Sequence, residues 1–116
     1  MLGLAASGGL TQSIGLSGVL TTTSASSPVT SSTVTIRGAG TIEFGTITTD
    51  SGTPQYSKNA GAYANITEGL TITVADGDTL AVKCILPGVG NKAQFSVRSG
   101  ATSTSPLIEA VTLTKS

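Results

Sequence analysis

Histidine and tryptophan are absent from these 116 residues, and there is a single cysteine, Cys84. Without histidine, the chain lacks the usual general base and the commonest metal ligand. One cysteine excludes an intramolecular disulfide framework, and no carboxylates cluster with it in a zinc-binding pattern. Cys84 lies in an apolar alternating run and reads as a small buried hydrophobe. The adjacent Lys83 falls on the opposite strand face, too poorly placed to activate the thiol. Charge is scarce as well: 10% of residues, against roughly 25% in ordinary soluble domains. Six basic residues balance six acidic ones, which removes any long-range attraction for nucleic acid or an anionic membrane. Gly, Ser or Thr interrupts every apolar run, so no transmembrane span is expected. The opening MLGLAASGGL has no basic region and no continuous apolar stretch, so no secretory signal is expected either. The sequon Asn65-Ile66-Thr67 therefore carries no expectation of a glycan.

Hydroxyls supply the polarity that charge does not, with Ser and Thr making up about 30% of the chain. Thr is β-branched and suits a pleated, half-buried surface, whereas Ser and the 15 Gly suit turns. With aromatics at 3%, the core must be aliphatic. The glycines match neither a phosphate-binding loop nor a dinucleotide fingerprint. Asp76 and Asp78 flank Gly77 as turn-forming residues; a calcium site there would need further oxygens, such as those of Glu68. Glu43 and Glu109 are expected to make surface ion pairs with Arg37 or Arg98. No catalytic group, metal or cofactor is expected.

The chain divides near residue 33. Residues 1–33 contain no charged side chain, and five glycines argue against a helix. Yet Leu2, Leu4, Leu10, Ile14, Leu16, Val19 and Leu20 are too apolar for a solvated linker. The segment is expected to be an extended assembly arm that buries these side chains elsewhere, with the polar stretch TTTSASSPVTSS (residues 21–32) as a hinge or linker to the domain. From Val34 onward strand signals recur: VTIR, TIEFGTIT, a short start at Gln55-Tyr56-Ser57, LTITV, TLAVKCI, AQFSVRS and PLIEAVTLT. Alternation points Leu70, Ile72, Val74, Leu80, Val82, Cys84, Phe95, Val97, Leu107, Val111 and Leu113 inward. Ala75-Asp76-Gly77-Asp78 is the strongest hairpin signal. About seven short strands between turns predict an all-β, antiparallel sandwich over residues 34–116.

Tyr56-Ser57, Asn59-Ala60-Gly61-Ala62-Tyr63 and Gly77-Asp78-Thr79-Leu80-Ala81-Val82-Lys83 carry a resemblance. The stretch from residue 56 to 83 resembles Ig-like or fibronectin-like β-sandwich modules of phage virion proteins and bacterial surface proteins. It departs from them after Lys83, where CILPGVG replaces a Ser/Thr-rich run, and between Tyr63 and Asp76, where a longer apolar strand is inserted. The resemblance implies an Ig-like fold and a non-catalytic virion subunit, foremost a capsid decoration protein. Its partners would be copies of itself and the major capsid protein or another virion protein, with no nucleic acid and no membrane. A tail, neck or fibre-anchoring subunit is the alternative, as is a glycan or cell-surface binding module using Tyr56 and Tyr63.

Overall fold

The computed structural model describes residues 14–116. Eleven strands and no helix form among them: β1 (Gly15–Leu16), β2 (Thr22–Ser24), β3 (Val29–Thr30), β4 (Val34–Arg37), β5 (Gly40–Thr49), β6 (Gln55–Lys58), β7 (Ala64–Asn65), β8 (Thr71–Val74), β9 (Thr79–Cys84), β10 (Lys92–Ser99) and β11 (Leu107–Lys115). Sheet I has the order β1-β4-β9-β6-β7, with β3 pairing to β9 beside β4; sheet II has the order β2-β11-β10-β5-β8. All pairings are antiparallel except that of β2 with β11. The described residues are therefore all-β, with two sheets sharing one core.

Period-two alternation accounts for the core. Val34, Ile36, Leu80 and Val82 point inward from sheet I, and Ile42, Phe44, Phe95, Val97, Val111 and Leu113 from sheet II. Ile66 and Leu86, in connecting segments, are buried alongside them. Phe44 lies at the junction of the layers. Its ring stacks on Tyr56 of sheet I at 5.5 Å and meets Phe95 of its own sheet edge-on at 6.1 Å.

Three expectations are corrected. First, the segment expected to be an arm is, from Ile14 onward, built into the domain. Ile14 and Leu20 are buried, Leu16 packs against the core, and only Val19, 65% exposed, faces solvent. β1 pairs with β4, β2 with β11 and β3 with β9, so this stretch serves both sheets. Its aliphatic side chains find their cover within the same chain. Leu2, Leu4 and Leu10 lie outside the described residues.

Second, Ala75–Asp78 does form a turn, closed by the Asp78 N–H donating to the Ala75 carbonyl at 3.0 Å, but it is no hairpin. It carries the chain from β8 in sheet II to β9 in sheet I, and β8 pairs with β5 instead. Turn chemistry is local, whereas pairing is decided by which buried face each strand must cover. Third, Leu107 is 52% exposed. A bulge between β10 and β11 places Val97 opposite Glu109 but Arg98 opposite Leu107, leaving Ile108 as the extra residue. The extra residue breaks the alternation, and Ile108 packs on the core in place of Leu107.

Candidate functional site

The outer face of sheet I carries a concavity of about 250 Å³ lined by Thr33, Ser57, Ala60, Gly61, Tyr63, Thr79 and Ala81. The register explains how they meet. Val82 opposite Tyr56 faces the core, so Ala81 opposite Ser57 must face outward. Ala81 is nonetheless buried, as is Ser57, because the connection between β6 and β7 folds over them. Asn59 and Ala60 turn that connection with φ of 55° and 59°, in the left-handed region. Asn59 then clamps it. Its N–H donates to the Thr79 carbonyl and its Oδ1 accepts the Thr79 N–H, both at 2.9 Å, while its Nδ2 donates to Asp78 at 3.1 Å. The Ser57 hydroxyl donates to the Gly61 carbonyl at 2.8 Å and ties down the far side.

Tyr63 forms one wall. The Lys83 Nζ lies 4.1 Å from its ring centroid in a cation–π contact, and Lys83 itself lines none of the concavity. Tyr56 and Tyr63 do not form a joint platform. Tyr56 points to the opposite side of sheet I and packs against Phe44. Of the four aromatic residues, three build the core cluster and Tyr63 alone is set on an outer face. Ser57, Ala60, Gly61, Thr79 and Ala81 stand out in the sequence only as part of the family resemblance, not as binding residues, and Thr33 does not stand out at all. Alternation along β9 does set Thr79, Ala81 and Lys83 on one outward face, which is the signal that was available.

The carboxylates hold backbone rather than chemistry. Glu109 accepts the Leu20 N–H at 2.9 and 3.0 Å, and the Thr21 N–H and hydroxyl each at 2.9 Å. The ion pair expected for it is replaced by these bonds, which join the chain between β1 and β2 to sheet II. Glu43 is 4% exposed, and its Oε1 has no hydrogen-bond partner among the described residues. The surface ion pair expected for it does not form either: the opposed Arg98 donates to the Ser105 carbonyl at 3.0 Å. A β-carbon on Gly45 would lie 3.0 Å from the Glu43 carboxylate, a tight contact that would require the carboxylate to shift. Asp76 accepts the Gly38 N–H at 2.8 Å, and Asp78 accepts the Ala75 N–H at 2.8 Å. Among the described residues no three His, Cys, Asp or Glu side chains converge as metal ligands.

Glu68 accepts the Ile47 N–H at 2.9 Å and the Thr46 N–H at 2.7 Å. These bonds hold its carboxyl below the usual carboxylate range, and they pin a bulge at Thr46, whose φ is 53°. The N–H of Ala75 and the side chain of Asn59 lower Asp78 likewise. A carboxylate whose pKa is depressed on folding adds stability above its unfolded pKa and loses it as pH falls through the folded pKa. The midpoint of thermal unfolding should therefore fall as pH drops from about 4.5 downward. Glu68→Gln should flatten that decline, as seen by melts at stepped pH; an unchanged profile would contradict this role for Glu68.

Cys84 is buried, and burial pushes its thiol pKa up. Its Sγ lies 3.5 Å from the Ser51 carbonyl oxygen. A maleimide should leave it unmodified in the folded protein and label it fully in denaturant. Rapid labelling of folded protein would show that this corner opens. Gly52, close by, has φ of 74°, and a β-carbon there would come 2.7 Å from the Ile85 carbonyl oxygen. No side chain fits that position.

No protein family, curated protein or solved structure matches this chain.

Proposed function

We propose that this chain is a non-catalytic virion structural protein: an Ig-like sandwich that decorates a capsid, attached through residues 1–13 and by contacts between copies. Strand order supports the Ig-like reading. β4, β9 and β6 stand as B, E and D of one sheet, and β5, β10 and β11 as C, F and G of the other. β1 and β2 act as a first strand that changes sheets. β8 departs from this order, because it lies beside C but follows D in sequence.

The observation that carries attachment is the contrast between the chain's two parts. Residues 14–116 hold 18 buried core residues, a core shared by both sheets. Ahead of it stand 13 residues with Leu2, Leu4 and Leu10 and no charge. Burying each such side chain is worth about 1.5–3 kcal/mol, which favours docking on a neighbouring copy or a capsid surface. The low net charge supports the same reading, since a neutral, hydroxyl-rich protein gains little solubility from charge repulsion and suits an assembly. A tail or neck position would use the same attachment.

A variant lacking residues 1–13 tests this. It should give an unchanged circular dichroism spectrum and a cooperative melt, yet lose self-association and co-sedimentation with particles. Assembly equal to that of the full chain would remove the basis for the attachment role.

A further inference from the structure

We propose that the concavity beside Tyr63 is a binding site for a neutral pyranose, the terminal ring of a saccharide. This is a second function, separate from attachment through residues 1–13, and it rests on four features.

The first is chemistry without charge. Hydroxyls of Thr33, Thr79 and Tyr63, the methyl groups of Ala60 and Ala81, and Gly61 line the site, and no ionisable Asp, Glu, Lys or Arg does. Such a lining selects neither an anion nor a cation. It matches a ligand that offers hydroxyls on its rim and C–H bonds on its face.

The second is availability. The Ser57 hydroxyl is engaged with Gly61, but the hydroxyls of Thr33, Thr79 and Tyr63 make no hydrogen bond among the described residues. Each hydroxyl both donates and accepts, as sugar hydroxyls do, so neighbouring pairs can be satisfied in either sense.

The third is the aromatic wall. A tyrosine on an outer face exposes apolar surface that would pack better inside, and the other three aromatics of this chain do pack inside. The Lys83 Nζ lies 4.1 Å from the Tyr63 ring centroid, and Tyr63 lines the concavity whereas Lys83 does not. Apolar ring C–H faces stack on such surfaces, and tyrosine adds a polar tip at little conformational cost.

The fourth is preorganisation. The loop of residues 59–63 is clamped by two hydrogen bonds between Asn59 and Thr79 of β9 and a third from Asn59 to Asp78 in the turn before it, and Ser57 adds a fourth to Gly61. A site already rigid loses little entropy on binding. At about 250 Å³ it lies just below the usual range of about 300–1,000 Å³ for small-molecule pockets. That size fits one ring, with the rest of a saccharide left in solvent, and the affinity should be millimolar.

The experiment is a titration of the full chain, followed by amide chemical shifts. The probes are methyl α-D-glucopyranoside, methyl β-D-galactopyranoside, N-acetyl-D-glucosamine and, as a charged comparison, D-glucuronate. At least one neutral probe should shift the amides of Gly61, Tyr63, Thr79 and Ala81 in a saturable way. Tyr63→Ala should weaken that binding about tenfold or more. Thr79→Val, nearly isosteric, should weaken it severalfold while leaving the melt unchanged, which guards against a loss due to misfolding. No saturable shift with any neutral probe at tens of millimolar would overturn the proposal. So would binding that survives Tyr63→Ala, or a preference for glucuronate over every neutral sugar.

Discussion

Deletion of residues 1–33 should leave a chain that no longer folds, in contrast to removal of residues 1–13 alone. The longer deletion takes away Ile14, Leu20 and Val29, all buried. Losing a buried aliphatic side chain costs about 2–5 kcal/mol, and whole domains are stable by only about 5–15 kcal/mol. Three such losses consume that margin before any backbone pairing is counted. Pairing is lost as well: β9 loses β3 along Lys83 and Cys84, and β11 loses β2 along Leu113 to Lys115. Glu109 loses its four hydrogen bonds from Leu20 and Thr21 and keeps a carboxylate with nothing to hold. Far-UV circular dichroism of the variant should show no strand signal and no cooperative melt. A variant that melts cooperatively within a few degrees of the full chain would mean that β1, β2 and β3 are dispensable.

Phe44→Ala should be the most damaging single truncation inside the sheets. The ring is fully buried and touches the only other aromatics of the core, Tyr56 across the sheet interface and Phe95 within its own sheet. The expected loss is about 3–5 kcal/mol, including the cavity left behind. Each kcal/mol lowers the midpoint by roughly 4 °C in a domain of this size, so a fall on the order of 15 °C is expected. Phe44→Leu keeps most of the volume and should cost well under half as much. A loss near 1 kcal/mol for the alanine variant, by denaturant titration, would place Phe44 outside the junction of the sheets.

The long strands could be read from the sequence because each is buried on one face. Residues 70–74, 79–85 and 93–97 alternate, and the residues so marked do lie in or against the core. β1, β2 and β3 could not be read this way, since two or three residues make no periodic signal. Leu16 and Leu20 looked stranded in a glycine-rich segment, although Leu20 fills the core and Leu16 packs against it. Glu109 shows why charge spacing misled: its partners are backbone N–H groups 88 and 89 residues away, which no local pattern reports. The arch at Ala75–Asp78 and the bulge at Ile108 failed for the same reason, as both depend on partners chosen across the fold. Tyr56 and Tyr63 separate only once β6 is paired in register with β9, which assigns Tyr56 to the core and leaves Tyr63 outside.

Ile14 marks where residues 1–13 join the domain. Its N–H donates to Ser99 Oγ at 2.9 Å, at the end of β10 that also carries the connections around Gly40 and Gly100. The opposite end carries Val89 and the carboxyl terminus, where the Gly90 N–H donates to the Lys115 carbonyl. On the proposed attachment through residues 1–13, the Ile14 end of the domain would be the end nearer the anchoring surface. Electron cryomicroscopy of intact particles from the source culture measures location and orientation at once. The proposal predicts multiple copies on the particle surface, with the Ile14 end facing the shell and Val89 facing outward. Particles without the chain, or copies seated with the Val89 end against the shell, would contradict it.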